Sequence, residues 1–389
     1  MKQTMNGASQ QKFNSNSKAG FKKLIQIIKS QSKPKIEARM SYKSSSICMK
    51  VMIVAGFLLI LQPASSQSAG FEGLTETLTA NQKVMGSNFV TMVWQGDTVV
   101  YKKELGELNA KTAVPIADAS KWLTAALVMQ FVDEGKISLD DKITKWLPEY
   151  AKYGKNYITI RLCLANMTGI QYSDKTPPNP FRKKTTTLEE EVNAYASREI
   201  QTNPGTEFRY NNIGADIAGR VLEVLSKKRF DMLIRQKLLV PMGMRRTTFT
   251  NMEGGAVSPS DGAQSSAEDY IKFLGMLLNK GKYGGKQILS EESVNTMMQS
   301  ITTLNIIKSP PKSMQGYDYA LGGWVMEADA NAKSTIVVCP SFTGTWAVVD
   351  YCRGYAYFIL SKKLFDEDKA EVNKQVKSVL DEKFGSGCK

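Results

Sequence analysis

The sequence predicts an α/β (α+β) fold: one antiparallel sheet built from both termini and flanked by helices, with a helical lobe inserted between. Three observations carry this. β-rich runs cluster near the start of the folded region (88–94, 98–102) and near its end (317–325, 335–338, 345–349, 355–360). The segments between them have helical spacing. One of these, 117–135, is so rich in apolar residues that it reads as a central helix rather than a superficial one. The expected boundaries are 71–117 with 265–389 for the α/β lobe and 118–264 for the helical lobe.

In chain order, 71–84 predicts a short helix, and Gln95-Gly96-Asp97 joins the first two strand runs as a hairpin. In the central helix Leu123, Leu127, Val128 and Phe131 recur at spacings of three and four. Asp118 suits its N-cap and Gly135 the position just past its end. Further helices are expected at 159–167, at 187–197 with an acidic start, at 213–225 after Tyr210-Asn211-Asn212, and at 230–239. Ser266 and Ser290 cap helices ending at Leu278 and Met298, and a last helix spans 366–384. Segments 173–184, 254–262 and 309–311 read as loops.

The formal net charge of +14 suggests nucleic acid, but its location argues otherwise. Residues 1–50 hold eleven Lys/Arg and one acid, so +10 lies there and only +4 in the remaining 339 residues. No nucleic-acid partner is expected. Residues 1–48 are rich in Ser, Lys, Gln and Asn and read as a disordered basic extension. Residues 49–66 carry Met49-Lys50, an eleven-residue apolar run from Val51 to Leu61, Pro63, and small residues after it. That is the order of a secretory signal peptide, so a secreted or periplasmic protein is expected. Membrane contact would come only through this segment, if it stays uncleaved. After cleavage Cys163, Cys339, Cys352 and Cys388 remain, at spacings of no metal knuckle or redox pair, and are expected to be unpaired. The chain has no histidine. That excludes every His-based triad and every His-ligated metal site, and neither a cofactor nor a metal is expected.

Three polar clusters fall where the two lobes would meet. They are Asp118-Ala119-Ser120-Lys121, Tyr210-Asn211-Asn212, and Cys339-Pro340-Ser341-Phe342-Thr343-Gly344-Thr345. With them come Asp133-Glu134-Gly135-Lys136, Leu147-Pro148-Glu149-Tyr150, Pro204-Gly205-Thr206 and Pro241-Met242-Gly243-Met244. In this order and spacing, over about residues 71–385, the chain resembles the serine β-lactamase and penicillin-binding-protein-like hydrolases, most of all the class C β-lactamase, D-aminopeptidase and esterase branch. The resemblance implies a β-lactamase/transpeptidase-like fold. It implies a serine nucleophile three residues before a lysine at the start of a buried helix, with a Tyr-x-Asn tyrosine sharing the serine proton. Lys121 matches the lysine, Tyr210 the tyrosine and Asn212 the asparagine. Substrate-binding roles are implied for Asn212, Cys339, Ser341 and Phe342.

Two positions depart from that pattern. The nucleophile position is Asp118, and the third motif is Cys339-Pro340-Ser341, without its basic residue or glycine. A carboxylate has no proton to give up and is a poor acyl acceptor here. One turn from Lys121, it favours the charged ammonium, whereas a general base must be neutral. Ser120 neighbours Lys121 but points about 100° away around the helix. The expectation is therefore an exported β-lactamase-related pseudoenzyme that binds peptide, peptidoglycan-like or acyl ligands in an inter-lobe cleft. The alternative is a working serine-type hydrolase (esterase, D-peptidase or β-lactamase) with a modified site.

Overall fold

Strands from both ends of the described region meet in one seven-stranded antiparallel sheet. The computed structural model describes residues 70–172, 185–251 and 255–385. The expectations for residues 1–48, the segment 49–66, the loop 173–184 and Cys388 lie outside the described residues.

Helix α1 (Glu72–Ala80) leads into the hairpin β1 (Phe89–Gln95) and β2 (Thr98–Leu105). Strand β3 (Val114–Pro115) and a 3-10 turn (Ala117–Ala119) precede α2 (Ser120–Asp133). Then follow α3 (Glu149–Lys152), α4 (Ile160–Leu164), α5 (Leu188–Ala196), β4 (Phe208–Arg209), α6 (Ile213–Ser226) and α7 (Phe230–Ile234). Next come β5 (Thr248–Phe249), β6 (Ala263–Ser265), α8 (Ala267–Leu278), β7 (Lys282–Tyr283), β8 (Lys286–Gln287) and α9 (Glu291–Met298). The chain ends in β9 (Ile307–Ser309), β10 (Asp318–Tyr319), β11 (Trp324–Ala328), β12 (Ser334–Pro340), β13 (Trp346–Asp350), β14 (Tyr355–Ser361) and α10 (Glu367–Phe384).

The sheet order is β10-β11-β12-β13-β14-β1-β2. The closing pair joins the N-terminal hairpin to the last strand, from Phe89 opposite Ser361 to Gln95 opposite Tyr355. Strands β12, β13 and β14 are buried at every position, because helices cover both faces. On one face Tyr270 of α8 stacks on Phe358 of β14, centroids 4.5 Å apart. On the other, Val372, Val376 and Leu380 of α10 are buried. Lys377 of that helix pairs with Asp350 at 3.0 Å and with Asp381 at 2.6 Å.

Helix α2 packs between α6 and α9. Ten consecutive residues from Ser120 to Met129 are buried, so the expected central helix is enclosed on all sides rather than along a stripe. Its C-terminus closes as expected. Gly135 takes φ +65°, its N–H reaches Val132 O, and Lys136 N reaches Phe131 O, the paired bonds of a Schellman ending.

Four expectations change. Asp118 is not the helix cap: it lies in the 3-10 turn, and no side chain caps α2. Its carboxylate has a stronger electrostatic partner. The run 317–325 is two strands, because Gly322 at φ +88° turns the backbone there. A side chain at Gly322 would meet the Lys121 carbonyl at 3.0 Å, so this turn lets β11 approach α2. The helix expected at 159–167 stops at Leu164, since Asn166 turns left-handed at φ +56°. Cys352 is disulfide-bonded rather than unpaired. Cys163 and Cys339 are free and buried.

Candidate functional site

The N-terminus of α2 is fixed from several directions. The Tyr270 hydroxyl donates to Ala119 O at 2.8 Å, and the Thr124 hydroxyl donates to Pro259 O at 2.6 Å. Ser120 Oγ accepts from Ala263 N at 3.0 Å. Ser120 is therefore committed to β6 and faces away from the other polar residues of the cluster. Just before it, Ala117 holds φ +40°, a strained value for a residue with a side chain.

Lys121 is 2% exposed, and its ammonium donates in three directions. It reaches Asp118 Oδ1 at 2.7 Å, Asn212 Oδ1 at 2.8 Å and Ser260 O at 3.5 Å. Three N–H groups meet three oxygens. The ammonium also lies 4.9 Å from the centre of the Tyr210 ring.

Asn212 is the N-cap residue of α6 but makes no side-chain cap bond, which leaves its amide for this contact. Asn211 Oδ1 accepts from Ile213 N at 2.8 Å. Asn211 N in turn donates to Asn166 Oδ1 at 3.2 Å, so the left-handed Asn166 positions the Tyr210 segment. The Asn212 amide spans two charges, since its Nδ2 donates to Asp261 Oδ2 at 2.7 Å.

Tyr210 packs against Phe208, Tyr319 and Trp324, with centroids 5.5–6.3 Å away. Burial first, then the charge of Asp118, hold the Tyr210 phenol well above its ordinary range, so it stays protonated. Burial likewise raises the Cys339 thiol, with the Asp118 charge adding to it. Cys339 Sγ donates to Gly322 O at 3.4 Å beneath the site.

Ser341 shapes the turn after β12. Its N–H donates to Thr345 O at 3.0 Å, and its hydroxyl meets that of Thr343 at 2.9 Å. The turn aims Phe342 N at Asp118 Oδ2, 3.4 Å away, and leaves the Phe342 ring 58% exposed. Asp118, Tyr210, Ser341 and Phe342 line a cavity of about 1060 Å³. Lys121, Asn212 and Cys339 lie behind that wall. The far side of the cavity is built by the loop around Lys312 and Tyr317 and by the first turn of α10.

A family model described as Beta-lactamase matches residues 73–381. The chain belongs to the β-lactamase family. Protein Rv1367c of Mycobacterium tuberculosis is 26% identical over 270 residues, covering 54% of this chain and 67% of that protein. A crystal structure of a candidate β-lactamase from Bacteroides dorei DSM 17855 superposes with a TM-score of 0.71 at 25% identity, covering 80% of this chain and 99% of that one. The octameric penicillin-binding protein homologue from Pyrococcus abyssi gives a TM-score of 0.60 at 20% identity, covering 79% of this chain and 76% of that one, a likeness of fold.

In this β-lactamase-family chain the three clusters expected from the sequence do meet. Several partners behind them were not expected. Asp261 and Ser260 come from a loop without periodicity. Asp216 is buried on α6, accepting from Ser260 N at 3.0 Å, Ser258 Oγ at 3.1 Å and the Tyr195 hydroxyl at 3.2 Å. Burial, then the nearby Asp261 charge, push its carboxyl up to about 7. Its spacing of four from Asn212 on one helix was a signal available in the sequence.

Proposed function

We propose that this member of the β-lactamase-like serine hydrolase superfamily is an exported pseudoenzyme. Its cleft binds a peptide, peptidoglycan-like or acyl ligand without turning it over. The observation that carries this is the Lys121–Asp118 ion pair at 2.7 Å. In the family pattern the lysine removes a proton from a serine. Here the corresponding position offers no proton, and the ammonium is occupied by three acceptors. Loss of a nucleophile typically costs about a millionfold in turnover.

The roles proposed for the site residues follow. Asp118 stands in the nucleophile position, Lys121 and Tyr210 in the proton-handling positions. Asn212 holds Lys121 in place. Phe342 and Ser341 form the ligand-facing turn, with Cys339 supporting it from behind. Export is supported by the signal-like order of segment 49–66. Among the described residues no helix is long and apolar enough to cross a membrane.

The test is incubation of the wild-type protein with a fluorescent penicillin, followed by denaturing gel electrophoresis. The proposal expects no label to survive denaturation. A covalently labelled band would favour the alternative, a serine-type hydrolase with a modified site.

A further inference from the structure

We propose that the cavity of about 430 Å³ between the turn after α3 and the segment after α5 is a second ligand site, for a saccharide bearing a carboxylate. Its volume suits a small molecule. Two aromatic side chains line it: Tyr153 is 48% exposed and Tyr157 71% exposed. Gly154, at φ +68°, makes the turn between them, closed by Gly154 N to Ala151 O at 3.1 Å and Lys155 N to Tyr150 O at 2.9 Å. The Tyr157 side chain makes no hydrogen bond or ring stack among the described residues, so packing does not account for it. A pyranose ring presents weakly positive C–H faces, which complement the negative face of an aromatic ring.

The rest of the lining is charged and fixed. Lys155 is 2% exposed, and its ammonium donates to Ala196 O and Arg198 O, both at 2.7 Å. It also lies 5.4 Å from the centre of the Tyr153 ring, which ties that ring to the end of α5. The Arg198 guanidinium lies 4.6 Å from the centre of the Tyr195 ring. Neither cation has an ion-pair partner among the described residues. Glu199, exposed and also without an ion pair, is the one acid of the described lining, so the cavity is net positive. A carboxylate pairs with Arg198 there, and Glu199 and the Asn203 amide are left for ring hydroxyls. Backbone bonds hold this wall: Gln171 N donates to Glu199 O and Gln201 N to Gly169 O, each at 2.9 Å, and Thr206 Oγ donates to Asn203 O at 2.7 Å. The cavity shares no lining residue with the one that Asp118 lines.

This inference is independent of the reading of the Asp118 cleft and stands whether or not that cleft turns over a substrate. The experiment titrates the full chain with methyl β-D-glucuronide and, separately, methyl β-D-glucoside at constant ionic strength, read by saturation-transfer NMR. The two probes share a ring and differ in the carboxylate. The glucuronide is expected to bind saturably with a millimolar midpoint, and the glucoside about tenfold more weakly. Tyr157→Ala should weaken both by about fivefold. Arg198→Gln should bring the glucuronide down to the level of the glucoside. Phe342→Ala, in the other cavity, should change neither. No saturable binding of the glucuronide overturns the proposal, as does equal binding of the two probes. Binding that Tyr157→Ala leaves unchanged, or that Phe342→Ala lowers instead, overturns it equally. Tyr157 is exposed, so Tyr157→Ala carries the test even where Arg198→Gln fails to fold.

Discussion

The Asn212 amide bridges Lys121 and Asp261: its oxygen lies 2.8 Å from the ammonium and its nitrogen 2.7 Å from the carboxylate. This orientation has one consequence for stability. Asn212→Ala removes two hydrogen bonds to charged groups and Asp261→Ala one of the same two, at a cost of about 1.5–3 kcal/mol per bond. Because both act through one amide, the double variant should cost clearly less than the sum. Urea unfolding midpoints of the four proteins measure this cycle.

Gly322 gives a backbone prediction. Its φ is +88°, and an added Cβ would approach the Lys121 carbonyl to 3.0 Å and Ala125 Cβ to 3.4 Å. Gly322→Ala should destabilise by about 1–3 kcal/mol, from left-handed strain and the displaced helix. The shift in urea midpoint at unchanged m-value checks it.

Asp216 should make stability fall as pH rises. Its carboxyl titrates near 7 in the folded chain against an ordinary value of 3.8. Between those values the folded state binds more protons than the unfolded one, so stability is full below about pH 4 and declines through pH 7. Asp216→Asn should abolish this component, on the order of a few kcal/mol. The difference between wild-type and variant unfolding free energies, measured from pH 4 to 8, gives the sign directly.

Lys369 should act at the alkaline end with the opposite slope. It is buried, donates to Ser361 Oγ at 2.9 Å and to Lys363 O, and burial lowers its amine to about 8 from 10.5. Below pH 8 both states are protonated and the buried ammonium destabilises the fold. As pH climbs from about 8 towards 10.5 the folded state sheds its proton first, and stability rises. Lys369→Met should remove that rise, as read by unfolding midpoints at pH 7.5 and 9.5.

Much of the fold was legible because its periodicities are strong. The hairpin at 89–105, the central helix and the late strands each carry a local pattern that matches their final state. What escaped was decided by long-range contact. The turn at Gly322 exists because β11 must approach Lys121, and the parallel pairing of Phe208 with Ile307 joins residues no local pattern connects. Within the site, Lys121, Tyr210 and Asn212 could be placed by motif. Asp118 was misread as a helix cap because local propensity favours that role, whereas a buried ammonium 2.7 Å away decides it. Asp261 and Ser260 stood in an unpatterned loop, and only the folded chain brings them to Asn212 and Lys121.

Asp118 remains the residue on which the functional reading turns. The most direct measurement is the intact mass of wild type, Asp118→Ser, and Asp118→Ser with Lys121→Ala after exposure to a fluorophosphonate. If Asp118 alone holds the chemistry off, the wild type stays unmodified and Asp118→Ser gains one adduct. That adduct should be lost when Lys121 is also removed. A stoichiometric adduct on the wild-type protein would contradict the reading and show that another nucleophile serves the cleft.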